Sequence, residues 1–250
     1  MISLKSPREI ELMNEAGTIV ALVHKKMKEI IQPGISTSEI DRIAEEVMRA
    51  NGATPSTKGY QGFPCATCTS VNDMLVHGIP DRKTILKDGD IISVDVVCCY
   101  KGYHADSGWS YPVGNVPQNV LDFMKVTEEA LYEGIEQARP GNRVCDISHA
   151  IQSYVEARGY SLPIEYTGHG IGKHIHEDPY VPNVGRAGTL ELLKKGMCIA
   201  IEPMTFMGKP HCYTLKDGWG VKSRDHSLAA HYEHTVAITE DGCKILTKEG

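Results

Sequence analysis

Four carboxylates interrupt apolar, strand-like sequence in this 250-residue chain: Asp95 in Ile91-Ile92-Ser93-Val94-Asp95-Val96-Val97, Asp106 eleven positions later, Glu202 in Ile199-Ala200-Ile201-Glu202-Pro203, and Glu233 in Tyr232-Glu233-His234-Thr235-Val236. An ionised carboxylate in an apolar run is costly unless a proton or a cation offsets it. His169, in Thr167-Gly168-His169-Gly170-Ile171-Gly172, adds an imidazole, and its three flanking glycines are expected to let backbone pass close to a bulky or charged centre. The five groups carry a charge of about −4, which two divalent cations balance with room for a shared water. Oxygen-rich ligation with one imidazole suits Mn, Fe(II), Co or Zn in an open catalytic site rather than a closed structural zinc. Two such ions roughly 3.5 to 4 Å apart lower the pKa of a bound water and clamp both oxygens of a tetrahedral intermediate, which is hydrolytic chemistry.

Those residues need a frame. Ile91 to Cys99 reads as a buried strand, Tyr100-Lys101-Gly102 as a turn, and His104 to Tyr111 as the returning strand. Pairing about a centre between Tyr100 and Lys101 sets Asp95 directly opposite Asp106, with Cβ atoms roughly 4.5 to 5.5 Å apart. Upstream, Ser6, Pro7 and Glu9 form a helix start with a capping box, and Ile10, Met13, Val20, Met27 and Ile30 mark its apolar stripe. Pro33-Gly34 ends that helix. A second box, Ser36 to Glu39, opens another, with Ile40, Ile43 and Val47 on one face and Asn51-Gly52 at its end.

The same punctuation recurs 107 residues later. Pro140-Gly141 matches Pro33-Gly34, Ala157-Arg158-Gly159 matches Ala50-Asn51-Gly52, and the strand entry Lys194-Lys195-Gly196 leading to Glu202 matches Lys87-Asp88-Gly89 leading to Asp95. One offset shared by three matches argues for two related halves about a pseudo-two-fold, about 6–112 and 113–245, in a single domain spanning 1–250. Helices and strands fall in separate runs, which gives an α+β class with antiparallel sheet rather than a doubly wound fold. No dinucleotide fingerprint or phosphate loop is present.

Composition narrows the function further. A net charge of −6 with scattered Lys and Arg gives no footprint for nucleic acid. Neither a signal-peptide core nor an apolar run long enough to span a membrane occurs, so the expected location is the cytosol. The eight cysteines read as reduced thiols, and Cys65-Ala66-Thr67-Cys68 lacks the second pair that a structural zinc needs.

On Asp95, Asp106, Gly168-His169-Gly170-Ile171-Gly172 with His176-Glu177, Ile201-Glu202-Pro203-Met204 and Tyr232-Glu233-His234-Thr235, in that order, the sequence resembles the type I methionine aminopeptidases of the creatinase-like, or pita-bread, superfamily. The resemblance runs from the first helix nearly to the end. It implies that Asp95, Asp106, His169, Glu202 and Glu233 ligate two divalent metals (Co, Mn, Fe or Zn), with Asp106 and Glu233 bridging and Glu202 also shuttling a proton. It further implies that His77, in Val76-His77-Gly78, contacts substrate near the scissile amide and that His176 steadies the carbonyl oxygen. Tyr60, Phe63, Cys68, Ile175 and Trp219 would line a pocket for the methionine side chain.

Two positions depart from the family pattern. Ile175 stands where an aromatic commonly precedes the second histidine, and Val76 where a cysteine is frequent before the first. His174 reads as a solvent-exposed loop residue. The short bacterial form is expected, since no insertion separates the ligand motifs. The expected partners are the N-terminal methionine of peptides and nascent chains with a small second residue, with transient ribosome association, no nucleic acid and no membrane; the expected state is a monomer. The competing readings are an Xaa-Pro aminopeptidase of the same superfamily and a non-catalytic pita-bread binding protein.

Overall fold

A computed structural model of the chain describes residues 2–248. Helix α1 (Pro7–Ile30) starts on the expected box: Ser6 Oγ accepts the Glu9 amide at 3.4 Å and the Glu9 carboxylate accepts the Ser6 amide at 2.8 Å. Helix α2 (Thr37–Ala50) has Ser36 as its cap, with the hydroxyl accepting the Glu39 amide at 3.2 Å. Here the box is only half formed. The Glu39 carboxylate turns instead to the Arg42 guanidinium at 2.6 and 2.9 Å, a charge-assisted pair that outcompetes a neutral amide. Helices α3 (Gln118–Gln137) and α4 (Val144–Glu156) make a second pair.

The strands among the described residues are β1 (Thr54–Pro55), β2 (Cys68–Val71), β3 (Met74–Val76), β4 (Ile91–Tyr100), β5 (Tyr103–Pro112), β6 (Thr167–Gly170), β7 (Glu177–Pro182), β8 (Cys198–Ile201), β9 (Met204–Phe206), β10 (Cys212–Thr214), β11 (Val221–Ser223), β12 (Ala229–His231), β13 (His234–Ile238) and β14 (Cys243–Ile245). In one sheet β4 pairs with β1, β2 and β5; a second runs β14-β13-β8-β6-β7; every pairing is antiparallel. Two small sheets, β10-β11-β3 and β12-β9, complete the set.

Each helix pair covers its own sheet. Val20, Val23 and Met27 of α1 and Ile40, Ala44 and Met48 of α2 pack on Ile92, Val94 and Val96 of β4. Phe123 and Leu131 of α3 and Ile147 and Ile151 of α4 pack on Ile199 and Ile201 of β8 and Val236 of β13. The architecture is the expected α+β: antiparallel sheets with helices laid over them.

The offset seen in the sequence is written into the backbone. Gly34 and Gly141 have φ of 96° and 93°, Gly52 and Gly159 have 78° and 80°, and Gly89 and Gly196 have 91° and 89°. A left-handed φ favours glycine, so the punctuation repeats because each half turns its chain at the same places. The isolated bridge Ser36–Ile85 recurs as Arg143–Leu192, again 107 residues on.

The two halves are sewn along β5. Thr235 Oγ1 donates to the Asp106 carbonyl at 2.8 Å and accepts the Asp106 amide at 3.0 Å, Ser107 Oγ donates to the Glu233 carbonyl at 2.7 Å, and the Glu233 amide donates to the Gly108 carbonyl at 2.8 Å. This seam sets Asp106 beside Glu233. Among the described residues no helix is long and apolar enough to cross a membrane.

Candidate active site

The β4–β5 hairpin brings Asp95 and Asp106 to one face, but not in the register expected. Lys101 and Gly102, with φ of 50° and 84°, form the two-residue turn, so Tyr100 pairs with Tyr103 and the turn centre lies one residue later than the sequence suggested. Asp95 therefore faces Gly108, and Asp106 faces Val97. The carboxylates are diagonal neighbours rather than directly opposed. They still share a face because β positions two apart point the same way.

From the second half, β6 supplies His169, the end of β8 supplies Glu202, and the break between β12 and β13 supplies Glu233. His169 Nδ1 donates to the Gly170 carbonyl at 2.9 Å, which leaves Nε2 as a lone pair 3.6 Å from both Asp106 Oδ2 and Glu202 Oε1. Asp106, His169 and Glu233 offer ligand atoms that all lie within 4.8 Å of one another; Asp95, His231 and Glu233 do the same. Glu233 is common to both groups. Glu202 lies between the two imidazoles, 3.6 Å from His169 Nε2 and 3.7 Å from His231 Nε2.

Asp95 Oδ1, Asp106 Oδ1, Glu233 Oε1 and His231 Nε2 are buried with no hydrogen-bond partner. Orphaned polar atoms of this kind cost roughly 1 to 3 kcal/mol each unless something fills the space between them. Burial, with each carboxylate facing another, pushes Asp95, Glu202 and Glu233 well above the usual carboxylate range, and burial raises Asp106 to about 7. Divalent cations would remove both penalties, supplying positive charge and occupying the lone pairs. The donor set present here fits such cations.

Above the cluster opens a cavity of about 230 Å³. All twelve residues singled out in the sequence line it: the five donors, His77, His176, Tyr60, Phe63, Cys68, Ile175 and Trp219. Phe63 and Trp219 meet edge to face at 5.1 Å, and the His77 and Trp219 rings lie 6.4 Å apart. The Cys68 thiol, buried and near Asp95, is driven well above its ordinary pKa and stays protonated, so it forms wall rather than nucleophile.

His77 holds a left-handed φ of 58°, strain of the kind that persists where surrounding structure fixes a functional side chain. Gly78 follows because a Cβ there would collide with the Thr69 carbonyl. Burial, with His176 nearby, lowers the His77 pKa to about 4. His176 is accessible at the mouth of the cavity but enclosed enough, and close enough to His169, that its pKa also falls to about 4. Tyr60 Oη and His176 Nδ1 are 2.9 Å apart. With the phenol donating, His176 keeps its proton on Nε2. His174 is exposed.

Two sequence readings change. The glycines around His169 do not make room for a charged centre: a Cβ on Gly168 would strike the Ala200 carbonyl, one on Gly170 the Asp178 carbonyl, and one on Gly172 the Lys5 side chain. They let β6 lie close to its neighbours. And His231, which was given no role in the sequence, turns into the carboxylate cluster. Its spacing two residues before Glu233 was the available clue, since strand residues two apart share a face. Thr57, Gln61 and Tyr166 also line the cavity and carried no distinguishing pattern in the sequence, and Thr167 and Met204 line it too, from within the quoted motifs but given no role. The eight cysteines are free, and no third donor joins Cys65 and Cys68 among the described residues.

Comparison with known proteins agrees with this geometry. The model of metallopeptidase family M24 matches residues 11–240. The methionine aminopeptidase 1 of Bacillus subtilis is 52% identical over 248 residues, covering 99% of this chain and 100% of that one. The crystal structure of a methionine aminopeptidase from Thermotoga maritima superposes with a TM-score of 0.98 at 42% identity, covering 100% of both chains. A prolidase from Pyrococcus furiosus shares the fold with a TM-score of 0.79 at 27% identity, but this chain spans only 66% of it. The full-length correspondence to one branch and the partial one to the other place the chain in metallopeptidase family M24, among the methionine aminopeptidases.

Proposed function

We propose that this protein removes the initiator methionine from peptides and nascent chains whose second residue is small, using two divalent cations held by Asp95, Asp106, His169, Glu202 and Glu233. The observation that carries this reading is the set of orphaned carboxylate oxygens, sealed from solvent at the base of a cavity with apolar and aromatic walls. Cations bound there would lower the pKa of a water and polarise the scissile carbonyl.

The chain's own groups account for the rest. Glu202, at the end of β8 and between two imidazoles, is placed to take the proton from the attacking water and pass it to the leaving amine. His176, neutral near pH 7, presents Nε2–H to the carbonyl oxygen as negative charge develops. His77, neutral for the same reason, is placed beside the scissile amide. Tyr60, Phe63, Cys68, Ile175 and Trp219 enclose a thioether. The cavity of about 230 Å³ lies below the roughly 300 to 1,000 Å³ of drug-sized sites and is sized for one side chain. We place this activity in the cytoplasm, in one catalytic unit over 1–250 with halves about 6–112 and 113–245, acting as a monomer with transient access to ribosome-borne chains.

The test is mass spectrometry of Met-Ala-Ser, Met-Leu-Ser and Leu-Pro peptides after incubation with the protein, with added Mn or Co and with chelator. Loss of one methionine from Met-Ala-Ser alone, abolished by chelator and reduced about 10² to 10⁴-fold in Glu202→Gln, is the expected result. Cleavage of the Leu-Pro peptide instead would move the assignment to an Xaa-Pro peptidase. A folded, metal-loaded protein that cleaves none of the three would leave a binding role.

A further inference from the structure

His231 faces the carboxylate cluster but is not among the five donors. It ends β12, is 1% exposed, and its Nε2 has no hydrogen-bond partner. That atom lies 3.5 Å from Glu233 Oε2 and 3.7 Å from Glu202 Oε2, too long for hydrogen bonds and suited to sharing a third body. With Asp95 and Glu233 it makes a group whose ligand atoms all fall within 4.8 Å, the counterpart of Asp106, His169 and Glu233 on the other side.

Its neighbours among the buried histidines show what a merely structural imidazole looks like in this fold. His24 holds Tyr111 Oη at 2.8 Å and the Ser107 carbonyl at 2.9 Å, and His234 holds Thr247 Oγ1 at 2.8 Å. Their rings have found protein partners, whereas His231 Nε2 is left bare where it meets the carboxylates.

The position of His231 is strongly fixed. Its amide donates to Ser110 Oγ at 3.0 Å, its carbonyl accepts from the same hydroxyl at 2.9 Å, and it pairs with Met204 of β9. The ring rests over Gly108, the residue opposite Asp95 in the hairpin. A Cβ at 108 would come within 2.7 Å of His231 Cε1, so the missing side chain is what leaves the ring its seat beside Asp95.

We propose that His231 is a sixth protein donor, its Nε2 ligating the cation shared by Asp95 and Glu233, so that each of the two cation positions takes one imidazole. This rests on the two-cation reading above. A nitrogen donor makes that position less suited to Mn and better suited to Fe(II), Co or Zn, because imidazole favours the later divalent metals and carboxylate the harder ones.

The experiment titrates metal-free protein with Co(II) to two equivalents and follows the hyperfine-shifted imidazole protons by NMR, with calorimetry for each equivalent. The wild-type protein is expected to show signals from two histidines, and His231→Gln from one. The second equivalent should bind at least about tenfold more weakly in the variant, with the first little changed. Two bound Co(II) ions with only one histidine signal in the wild type, or an unchanged second affinity in a folded His231→Gln, would overturn the assignment and leave the dinuclear reading standing. A wild-type protein that takes only one Co(II) overturns both. Thermal melts of the metal-free forms check the fold of the variant, and should it not fold, the wild-type count decides.

Discussion

A carboxyl group beside other carboxyls in a dry site has two ways to lower its free energy, a proton or a cation, and an enzyme that needs the cation must keep the proton easy to displace. Asp95, Asp106, Glu202 and Glu233 sit at that balance, and the imidazoles around them stay neutral because burial outweighs their attraction to negative charge. Neutral His176 would serve the proposed role only with its proton on Nε2, the tautomer favoured when the Tyr60 phenol donates to Nδ1. Tyr60→Phe should therefore lower kcat/KM for Met-Ala-Ser by about 2- to 10-fold, from the loss of about 0.5 to 1.5 kcal/mol in one hydrogen bond. Cation affinity should hold, and steady-state kinetics beside a Co(II) titration would separate the two; equal losses in both would refute a positioning role. Ile175, 6% exposed and on the cavity wall, is expected to govern selectivity rather than rate. Ile175→Phe adds ring contact worth about 0.5 to 1.5 kcal/mol and should sharpen the preference for Met over norleucine and Leu by a few-fold. Unchanged ratios of kcat/KM would rule this out. At this scale the sequence was legible wherever a residue broke a pattern, as Asp95 does in its apolar strand. His231 broke none; its one clue was a spacing of two from Glu233, and the Gly108 seat shows where its ring points.

The elements were legible where local chemistry decides them. Ser6 and Glu9 close a box with no help from the rest of the fold, and Pro7 opens α1 as expected. Where a competing partner exists the reading fails, as at Glu39, which prefers Arg42 across one helical turn. The hairpin slipped by one residue at its turn because the sequence does not say which residue pair takes positive φ; Lys101-Gly102 does, with glycine at the second position. The parity of the strands survived the slip, so the shared face survived too. What no local rule could supply is the seam: Thr235 and Ser107 look like ordinary strand residues, yet their hydroxyls carry the contact between halves. Thr235→Val keeps the shape and strands both the amide and the carbonyl of Asp106. It should cost about 1 to 3 kcal/mol and lower the melting temperature of the metal-free protein by roughly 2 to 4 °C per kcal/mol. Because Asp106 is attached at this point, weaker cation binding should accompany the lower melt. A Thr235→Val protein with wild-type melting and wild-type Co(II) affinity would show the seam to be dispensable.

For the molecule as a whole, turns recur 107 residues apart, and Asp95 and Glu202 stand at that same offset. The first large sheet carries Asp95 in the middle of β4 and the second carries Glu202 just past the end of β8, so joining the two sheets collects negative charge at one place. The consequence is a stability that depends on cation and pH together. In the metal-free protein the four carboxyls have folded pKa values raised above their ordinary 3.8 and 4.5, Asp106 to about 7, so above those ordinary values the native state holds protons that the unfolded chain has released. Stability then falls as pH rises through that window, by about 1.4 kcal/mol per pH unit for each proton retained. The buried histidines act in the opposite sense. His24 at about 4 and His231 and His234 at about 3 lie below 6.5, so the unfolded chain binds more protons than the native state below about pH 7.5 and their effect fades above it. That histidine contribution is common to the chelated and the loaded protein, so the difference between the two reports the carboxyls. Saturating cation replaces the retained protons and cancels their pH slope. Melting curves with chelator and with saturating Co or Mn should thus diverge between pH 6.5 and 8, the metal-free curve falling relative to the loaded one. A metal-induced gain in melting temperature that is the same at both ends would mean that the carboxyls are not holding protons in the cation's place, and that the cation adds stability by contacts alone.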